Sequence, residues 1–255
     1  MKNKDFEGLK YTSFGEGSTV VFIHGFLESM TMWDYLELNQ LPINYLLIDL
    51  PGHGKSELIN AENPCMEFYA RKLDDLIKHL NIEKFSIVGH SMGGYVGLAW
   101  LQLNDSIDKV IFLNSHFWED SEEKKKDRIS LSKIILHSKL FFLKTAIPNL
   151  FLRPEEHPAE INAIIEEANT FEAEGIVYAS LAMANRKDFT DYVNQNPEKF
   201  SMILGANDSI VPIHKINKSL TANIEIDVID DCGHMAHIAK SAEVLSLLKK
   251  QLAAK

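Results

Sequence analysis

The feature that most constrains this chain is the stretch from Phe85 to Trp100, which reads as a strand, a sharp turn and a helix. The turn is Gly89-His90-Ser91-Met92-Gly93, which matches the nucleophile-elbow pattern G-x-S-x-G. Glycines are needed there because a Cβ would collide with neighbouring backbone, and a strained serine projects its hydroxyl above the sheet. The alternative is an ordinary glycine-rich connection between a strand and a helix, and motifs elsewhere in the chain are needed to distinguish the two interpretations.

Other segments extend the alternation of strands and helices. Apolar, β-branched runs typical of strands buried on both faces lie at Thr19–Ile23, Tyr45–Ile48, Val110–Leu113, Phe200–Leu204 and Ile224–Ile229. Helical spacing is found at Pro64–Leu80, His214–Leu220 and Ala242–Leu252, and Gly8–Phe14 is a candidate edge strand. Strands that alternate with helices imply right-handed crossovers, so we predict an α/β fold with a mostly parallel central sheet flanked by helices.

The alternation stops between Ser115 and Arg186, where the sequence carries helical patterns only. These patterns cover Glu119–His137, Lys139–Ile147, Pro158–Phe171 and Glu174–Arg186. The mixed charges of the first one are those of a solvated helix face. We therefore predict a core of residues 1–114 and 187–255 and an inserted helical cap of residues 115–186.

Composition limits the partners of the chain. Its formal net charge of -10 argues against nucleic acid and against an anionic membrane surface, both of which are bound through clustered Lys and Arg. The first apolar run is too short for a signal peptide, and no run approaches the length of a membrane helix. Cys65 and Cys232 form no disulfide framework, which favours reduced thiols and a cytoplasmic location. The oligomeric state stays open.

A serine nucleophile needs a base within hydrogen-bond reach and a third group that orients the base. Asp208 follows the predicted strand Phe200–Leu204, and His234 follows the next strand. Carboxyl ends of parallel strands share one edge of the sheet, so both side chains should meet Ser91. We assign Ser91 as nucleophile, His234 as general base and acid, and Asp208 as the orienting group. An acid after Val110–Leu113 would be a rival, but Asn114 and Ser115 stand there.

Two backbone amides are candidates for an oxyanion hole. The Met92 amide opens the helix after the elbow, and the Phe26 amide lies in the loop after Thr19–Ile23. Loss of one such donor costs about 3 kcal/mol of transition-state stabilisation. Because both donors are backbone groups, side-chain substitutions report on them poorly.

Five landmarks in this order resemble the α/β-hydrolase superfamily. They are His24-Gly25-Phe26, Asp49 with Pro51-Gly52-His53-Gly54 and Ser56, Gly89-His90-Ser91-Met92-Gly93-Gly94, Gly205 with Asp208, and Gly233-His234. Within the superfamily the chain looks like the small, capped serine esterase and cofactor-free haloperoxidase-like branch. The resemblance implies an enzyme without cofactor, acting on a small ester or acyl substrate. It also implies that Asp49 and the Gly52–Ser56 turn support the site from below.

Three functions remain open on this fold. The leading one is hydrolysis of a small carboxylic ester through an acyl-enzyme. Capped relatives also hydrolyse carbon-carbon bonds of vinylogous diketones, but they have Trp after the catalytic histidine where this chain has Met235. Haloalkane and epoxide hydrolases carry Asp at the position of Ser91. A non-catalytic ligand receptor is the third reading, although the intact Ser91, Asp208 and His234 set argues against it.

Other motifs are weaker. Gly54-Lys55-Ser56 ends like a P-loop, but the required earlier glycine would fall at Asp49, so we predict no nucleotide. The acidic, cysteine and histidine residues of 230–237 match no zinc spacing, so we predict no metal. For the substrate pocket we nominate His116, Phe117 and Trp118, with His116 facing the cleft. Phe117, Trp118 and the Met183 region of the cap are expected mainly in the core, with some of them lining the pocket.

Overall fold

A computed structural model describes residues 3–58 and 63–253, so residues 1–2, 59–62 and 254–255 of the predicted core lie outside it. Its described part contains one eight-stranded sheet in the order β1-β2-β4-β3-β5-β6-β7-β8. The strands are β1 Lys4–Phe6, β2 Leu9–Gly15, β3 Thr19–Ile23, β4 Asn44–Ile48, β5 Phe85–His90, β6 Ile107–Leu113, β7 Phe200–Gly205 and β8 Glu225–Ile229. Strands β3 to β8 pair in parallel, and β1 and β2 form an antiparallel edge. The prediction of a mostly parallel sheet is confirmed.

The predicted helices are present with small differences at their ends, and Thr190–Gln195 is a further short helix without a predicted counterpart. The helices are α1 Met66–His79, α2 Met92–Leu101, α3 Glu122–Ala146, α4 Pro158–Ala168, α5 Ala173–Ala184, α6 Thr190–Gln195, α7 Ile213–Ser219, α8 Ala236–Ala239 and α9 Ser241–Ala253. The predicted break between Glu119–His137 and Lys139–Ile147 is a kink within α3, where Ser138 has non-helical dihedrals (φ −151, ψ 55). No helix among the described residues has the length and apolarity needed to cross a membrane.

The sheet separates two hydrophobic clusters because side chains alternate between its faces along each strand. Val21 and Ile23 of β3 face the cluster that includes α1 and α2. Val20 and Phe22 face the other cluster, together with Trp33 and residues of α9. All four β3 residues are buried, as expected for a central strand covered on both sides. The sheet is therefore a rigid platform for the loops at its carboxyl edge.

The inserted residues 115–186 carry α3, α4 and α5 and have an apolar cluster of their own. Leu27 and Met235, from loops after β3 and β8, belong to this third cluster. At the start of α5 the chain backbone touches the core directly: a Cβ on Gly175 would lie 2.6 Å from the Gly52 carbonyl oxygen. The inserted segment thus packs on the loops at the carboxyl edge of the sheet.

Candidate active site

Ser91 lies at the turn between β5 and α2 in a backbone conformation that L-residues rarely adopt (φ 48, ψ −114). The turn is tight: a Cβ on Gly89 would lie 2.6 Å from the Gly93 carbonyl carbon, and one on Gly93 would lie 2.2 Å from the Ile23 oxygen. The Ser91 carbonyl accepts a hydrogen bond from the Ser115 hydroxyl at 2.7 Å. The elbow predicted from the sequence is therefore present, and surrounding backbone holds it in place.

Asp208 and His234 meet at the carboxyl edge of β7 and β8. His234 Nδ1 lies 2.8 Å from Asp208 Oδ2, and both side chains are buried. The other carboxylate oxygen accepts the backbone N–H groups of Ile210 and Val211 at 2.8 and 3.0 Å. Burial acts to raise the pKa of Asp208, but His234 and the hydrogen-bond donors outweigh it and lower the pKa to about 2. The carboxylate is consequently ionised at neutral pH and fixes the orientation of the ring.

Asn114, which sequence reasoning considered only as the absence of an acid, contacts the same carboxylate. Its Nδ2 donates to Asp208 Oδ2 at 2.9 Å and to the Gly233 carbonyl at 3.1 Å. Asn114 has a positive φ of 46°, a conformation in which asparagine is enriched. Its signal in the sequence is an amide at the carboxyl end of a strand next to the elbow strand.

Ser91 and His234 line one cavity of about 190 Å³. The rest of its wall is mainly apolar and comprises Phe26, Leu27, Glu28, His90, Tyr95, Arg128, Leu131, Phe142, Ala146, Leu150, Met183 and Ile210. Among the described residues no hydrogen bond joins the Ser91 hydroxyl to His234, and such bonds are often long until substrate is bound. The structure thus brings all three predicted residues to one edge and places two of them on a common cavity.

The two nominated amides are also at this edge. Phe26 lines the cavity, and Met92 is the first residue of α2, where N–H groups have no partner within the helix. Within the described part of the chain neither N–H donates to a protein acceptor. Leu27, next to Phe26, has a positive φ of 67°, so the loop after β3 is itself strained. Both amides are free to donate to a ligand.

The predicted pocket residues lie elsewhere, and this expectation is corrected. None of His116, Phe117 and Trp118 is among the residues that line the cavity at Ser91. His116 is buried, lies 2.7 Å from the Tyr95 hydroxyl through Nε2, and stacks on Trp118 at 3.9 Å. Phe117 and Trp118 line a separate, smaller cavity. The three residues therefore form a layer behind Tyr95, and the wall comes instead from α3, α5 and neighbouring loops.

The Asp49 turn makes only structural contacts. Its carboxylate accepts the N–H groups of Met30 and Lys55 at 2.8 and 2.9 Å, and its carbonyl accepts the Ser56 hydroxyl at 2.7 Å. Gly54 has a positive φ, and a Cβ there would lie 2.2 Å from the Asp49 carboxyl carbon. This turn thus ties the loops after β3 and β4 together.

The site also contains a buried polar cluster of three residues that the sequence analysis did not predict. Glu28, His90 and His237 place potential ligand atoms within 4.8 Å of one another, so these residues could hold a metal ion. Glu28 Oε2 lies 2.8 Å from His90 Nδ1, and Glu28 Oε1 lies 3.7 Å from His237 Nε2. The sequence signals were weak: a glutamate in an apolar loop and the variable residue of G-x-S-x-G. The group of 230–237 residues considered from sequence does not form this cluster, apart from His237.

Fold and site together define a hydrolase of the α/β type, and comparison with known proteins agrees. The sequence profile described as alpha/beta hydrolase fold matches residues 18–241. Because this match covers most of the chain, the protein belongs to the α/β-hydrolase family.

Individual relatives are distant. The 2-hydroxy-6-oxononadienedioate/2-hydroxy-6-oxononatrienedioate hydrolase of Escherichia coli is 25% identical over 248 residues, covering 89% of this chain and 85% of its own. A malate-bound esterase from Thermogutta terrifontis is 27% identical with a TM-score of 0.86, covering 96% of this chain and 92% of its own. A bromoperoxidase from Bacillus anthracis has a TM-score of 0.83 at 20% identity, covering 96% and 95%, and shows the fold alone.

Proposed function

We propose that the protein is a serine hydrolase that cleaves a small carboxylic ester through an acyl-enzyme. The observation that carries the proposal is the Asp208–His234 pair at 2.8 Å beside a cavity that Ser91 and His234 share. The free amides of Phe26 and Met92 support it, because an ester carbonyl needs donors where its oxygen becomes negative.

The chemistry follows from these groups. Ser91 Oγ attacks the ester carbonyl carbon while His234 Nε2 takes its proton, and the carbonyl oxygen becomes an oxyanion that faces the two amides. The tetrahedral intermediate collapses, the bond to the alcohol oxygen breaks, and His234 returns the proton to that oxygen. Water then attacks the acyl-enzyme by the same route and releases the acid. Asp208 stabilises the imidazolium in both steps.

Cavity size and lining favour a short, uncharged acyl group. The cavity volume is about 190 Å³, and apolar side chains make most of the wall. Leu131, Phe142 and Met183 of the wall belong to the inserted residues 115–186. We accordingly infer that this segment acts as a cap that limits substrate size.

Carbon-carbon bond hydrolysis is the second candidate, since the E. coli relative is named for hydrolysis of a dienedioate. In this chain the residue after His234 is Met235, which is 1% exposed and packs in the apolar cluster of the inserted segment. Position 235 therefore holds a packed Met side chain where carbon-carbon hydrolases of this type have Trp, and this difference favours the ester reaction. A binding protein on the same fold would not need the strained Ser91 or the unpaired amides.

A fluorophosphonate probe tests the proposal. We expect it to label Ser91 of the folded protein, and Ser91→Ala to abolish both labelling and hydrolysis of p-nitrophenyl esters from acetate to octanoate. Ser180→Ala is the matched control, because Ser180 is buried in α5, its hydroxyl has no protein partner among the described residues, and it does not line the cavity. Absence of labelling in folded wild type would favour a binding protein, and turnover of a dienone alone would favour the carbon-carbon reaction.

A further inference from the structure

A buried carboxylate and a histidine connect the three loops of the candidate site. Glu28 Oε2 accepts the Gly25 N–H at 2.6 Å and contacts His90 Nδ1 at 2.8 Å. The other ring nitrogen of His90, Nε2, lies 3.1 Å from the backbone carbonyl oxygen of His234. Gly25 precedes Phe26, His90 precedes Ser91, and the His234 carbonyl belongs to the proposed base.

These contacts define the protonation of His90. Both of its ring nitrogens face oxygen atoms, and only the imidazolium form donates from both. Buried charges persist when they are paired, and Glu28 is the counter-ion. Burial alone would lower the pKa of His90, but Glu28 outweighs it and raises the pKa. Burial likewise acts to raise the pKa of Glu28, and His90 outweighs it and lowers the pKa to about 2.

His237 packs against the pair of Glu28 and His90. Its ring packs edge-on against His90 with centroids 4.6 Å apart, and both ring nitrogens lack a hydrogen-bond partner among the described residues. Burial, followed by the charge of His90, lowers the pKa of His237 to about 3, so this ring is neutral. Glu28 and His90 are both buried, and electrostatic attraction between buried groups is stronger than at the surface.

We propose that Glu28 and His90 are positioning residues whose buried ion pair fixes the Phe26 amide and the His234 backbone relative to Ser91. The inference rests on the proposed ester hydrolysis. Glu28 accepts the N–H of Gly25, the residue before the oxyanion donor. His90 is itself the residue before the nucleophile, and it contacts both Glu28 and the main-chain carbonyl of His234. Displacements of about 1 Å cost on the order of 10²-fold in rate, so loss of this connection should lower turnover.

Glu28→Gln is the decisive change because it removes the counter-ion of His90. An amide oxygen at the Oε2 position still accepts the Gly25 N–H, but without the negative charge the His90 ring is neutral and donates from one nitrogen only, so either its contact to residue 28 or its contact to the His234 carbonyl is lost. We expect kcat for p-nitrophenyl acetate to fall by about 10²-fold with KM nearly unchanged, since Gln has the same shape as Glu and the apolar side chains of the cavity wall stay in place. We expect the same fall in kcat for His90→Gln. The kcat of the double variant should be no lower than that of the less active single variant.

Glu167→Gln is the matched control. Its carboxylate accepts the hydroxyls of Ser29 and Thr31 from the same loop at 2.7 and 2.8 Å, and it contacts neither Gly25 nor His90. Its kcat should stay within about two-fold of wild type. ¹⁵N NMR of the wild-type rings should detect two protonated nitrogens on His90 at neutral pH, and one in Glu28→Gln, a signature that a purely packing role would not produce.

Several results would overturn the inference. A neutral His90 in wild type would remove the ion pair, and this measurement needs no variant to fold. A folded Glu28→Gln protein with the kcat of the control would remove the positioning role. One equivalent of tightly bound divalent metal in purified wild type, lost in Glu28→Gln, would make the cluster a metal site instead. Failure of the proposed function looks different, because folded wild type would then show neither fluorophosphonate labelling nor ester turnover, whatever the charge of His90.

Discussion

Substitution of Asp208 by Asn tests the proposed triad because the two carboxylate oxygens have different partners. Oδ1 accepts two backbone N–H groups, those of Ile210 and Val211, and these donors cannot rotate away. The amide oxygen of the variant therefore occupies the Oδ1 position, and its NH₂ group takes the place of Oδ2. There it faces Asn114 Nδ2, another donor, which Gly233 holds in place through its carbonyl.

This arrangement reverses the role of His234. Its Nδ1 must accept a hydrogen bond from the new NH₂ group, so the ring proton moves to Nε2. A ring protonated at Nε2 cannot take the proton of Ser91. A wrong tautomer of this kind lowers kcat by about 10⁴-fold in serine proteases, equivalent to about 5.4 kcal/mol of transition-state stabilisation. KM should change little, because Asp208 is not among the residues that line the cavity.

The assay is steady-state hydrolysis of p-nitrophenyl acetate, with circular dichroism to verify folding. Asp108→Asn is the control: Asp108 is exposed on β6, near the amino end of the same strand that Asn114 follows. The control should retain wild-type kcat. A folded Asp208→Asn protein with kcat within tenfold of wild type would refute the argument, since His234 would then work without its carboxylate.

Two further predictions concern packing and substrate size. Gly93→Ala should lower the free energy of unfolding by about 3 kcal/mol or more, because the new methyl would lie 2.2 Å from the Ile23 carbonyl oxygen. In Gly97→Ala the methyl meets only side chains, at 3.4 Å or more, and helix propensity improves, so urea denaturation should find it as stable as wild type or more so. Leu131→Ala should raise kcat/KM for the hexanoate ester relative to the acetate ester by about tenfold, because it widens the cavity wall, whereas Leu140→Ala, at an exposed position of the same helix, should leave the ratio unchanged.

The parts of the fold that could be predicted depend on local patterns. Buried strands such as Thr19–Ile23 and the glycines around Ser91 carry their own signals, so the parallel sheet and the elbow were predictable. That Asp208 and His234 lie near each other could be predicted, because the carboxyl ends of parallel strands share one edge of the sheet. The distance between the two side chains could not be predicted from this rule. Strand β1 was missed because it has only three residues, two exposed and one half-buried, and shows no hydrophobic pattern.

Tertiary contacts that depend on distant residues could not be predicted. His116 was expected in the cleft because it follows a strand, but Tyr95 and Trp118 hold it in the interior. Glu28 and His90 are 62 positions apart, and neither residue type indicates the other. The predictions of a cytoplasmic location and of no nucleic-acid partner rest on composition and stay predictions.

The contact between Gly52 and Gly175 has a consequence for engineering by segment exchange. A Cβ on either residue would lie within 3 Å of the other's backbone. Neither position therefore tolerates a side chain while the two backbone segments keep their positions. A helical insert transplanted from a related hydrolase would have to supply a glycine at the start of its last helix. In chimeras that carry any other residue there, the grafted helices should be displaced from the turn at Gly52, whatever the remaining sequence of the graft.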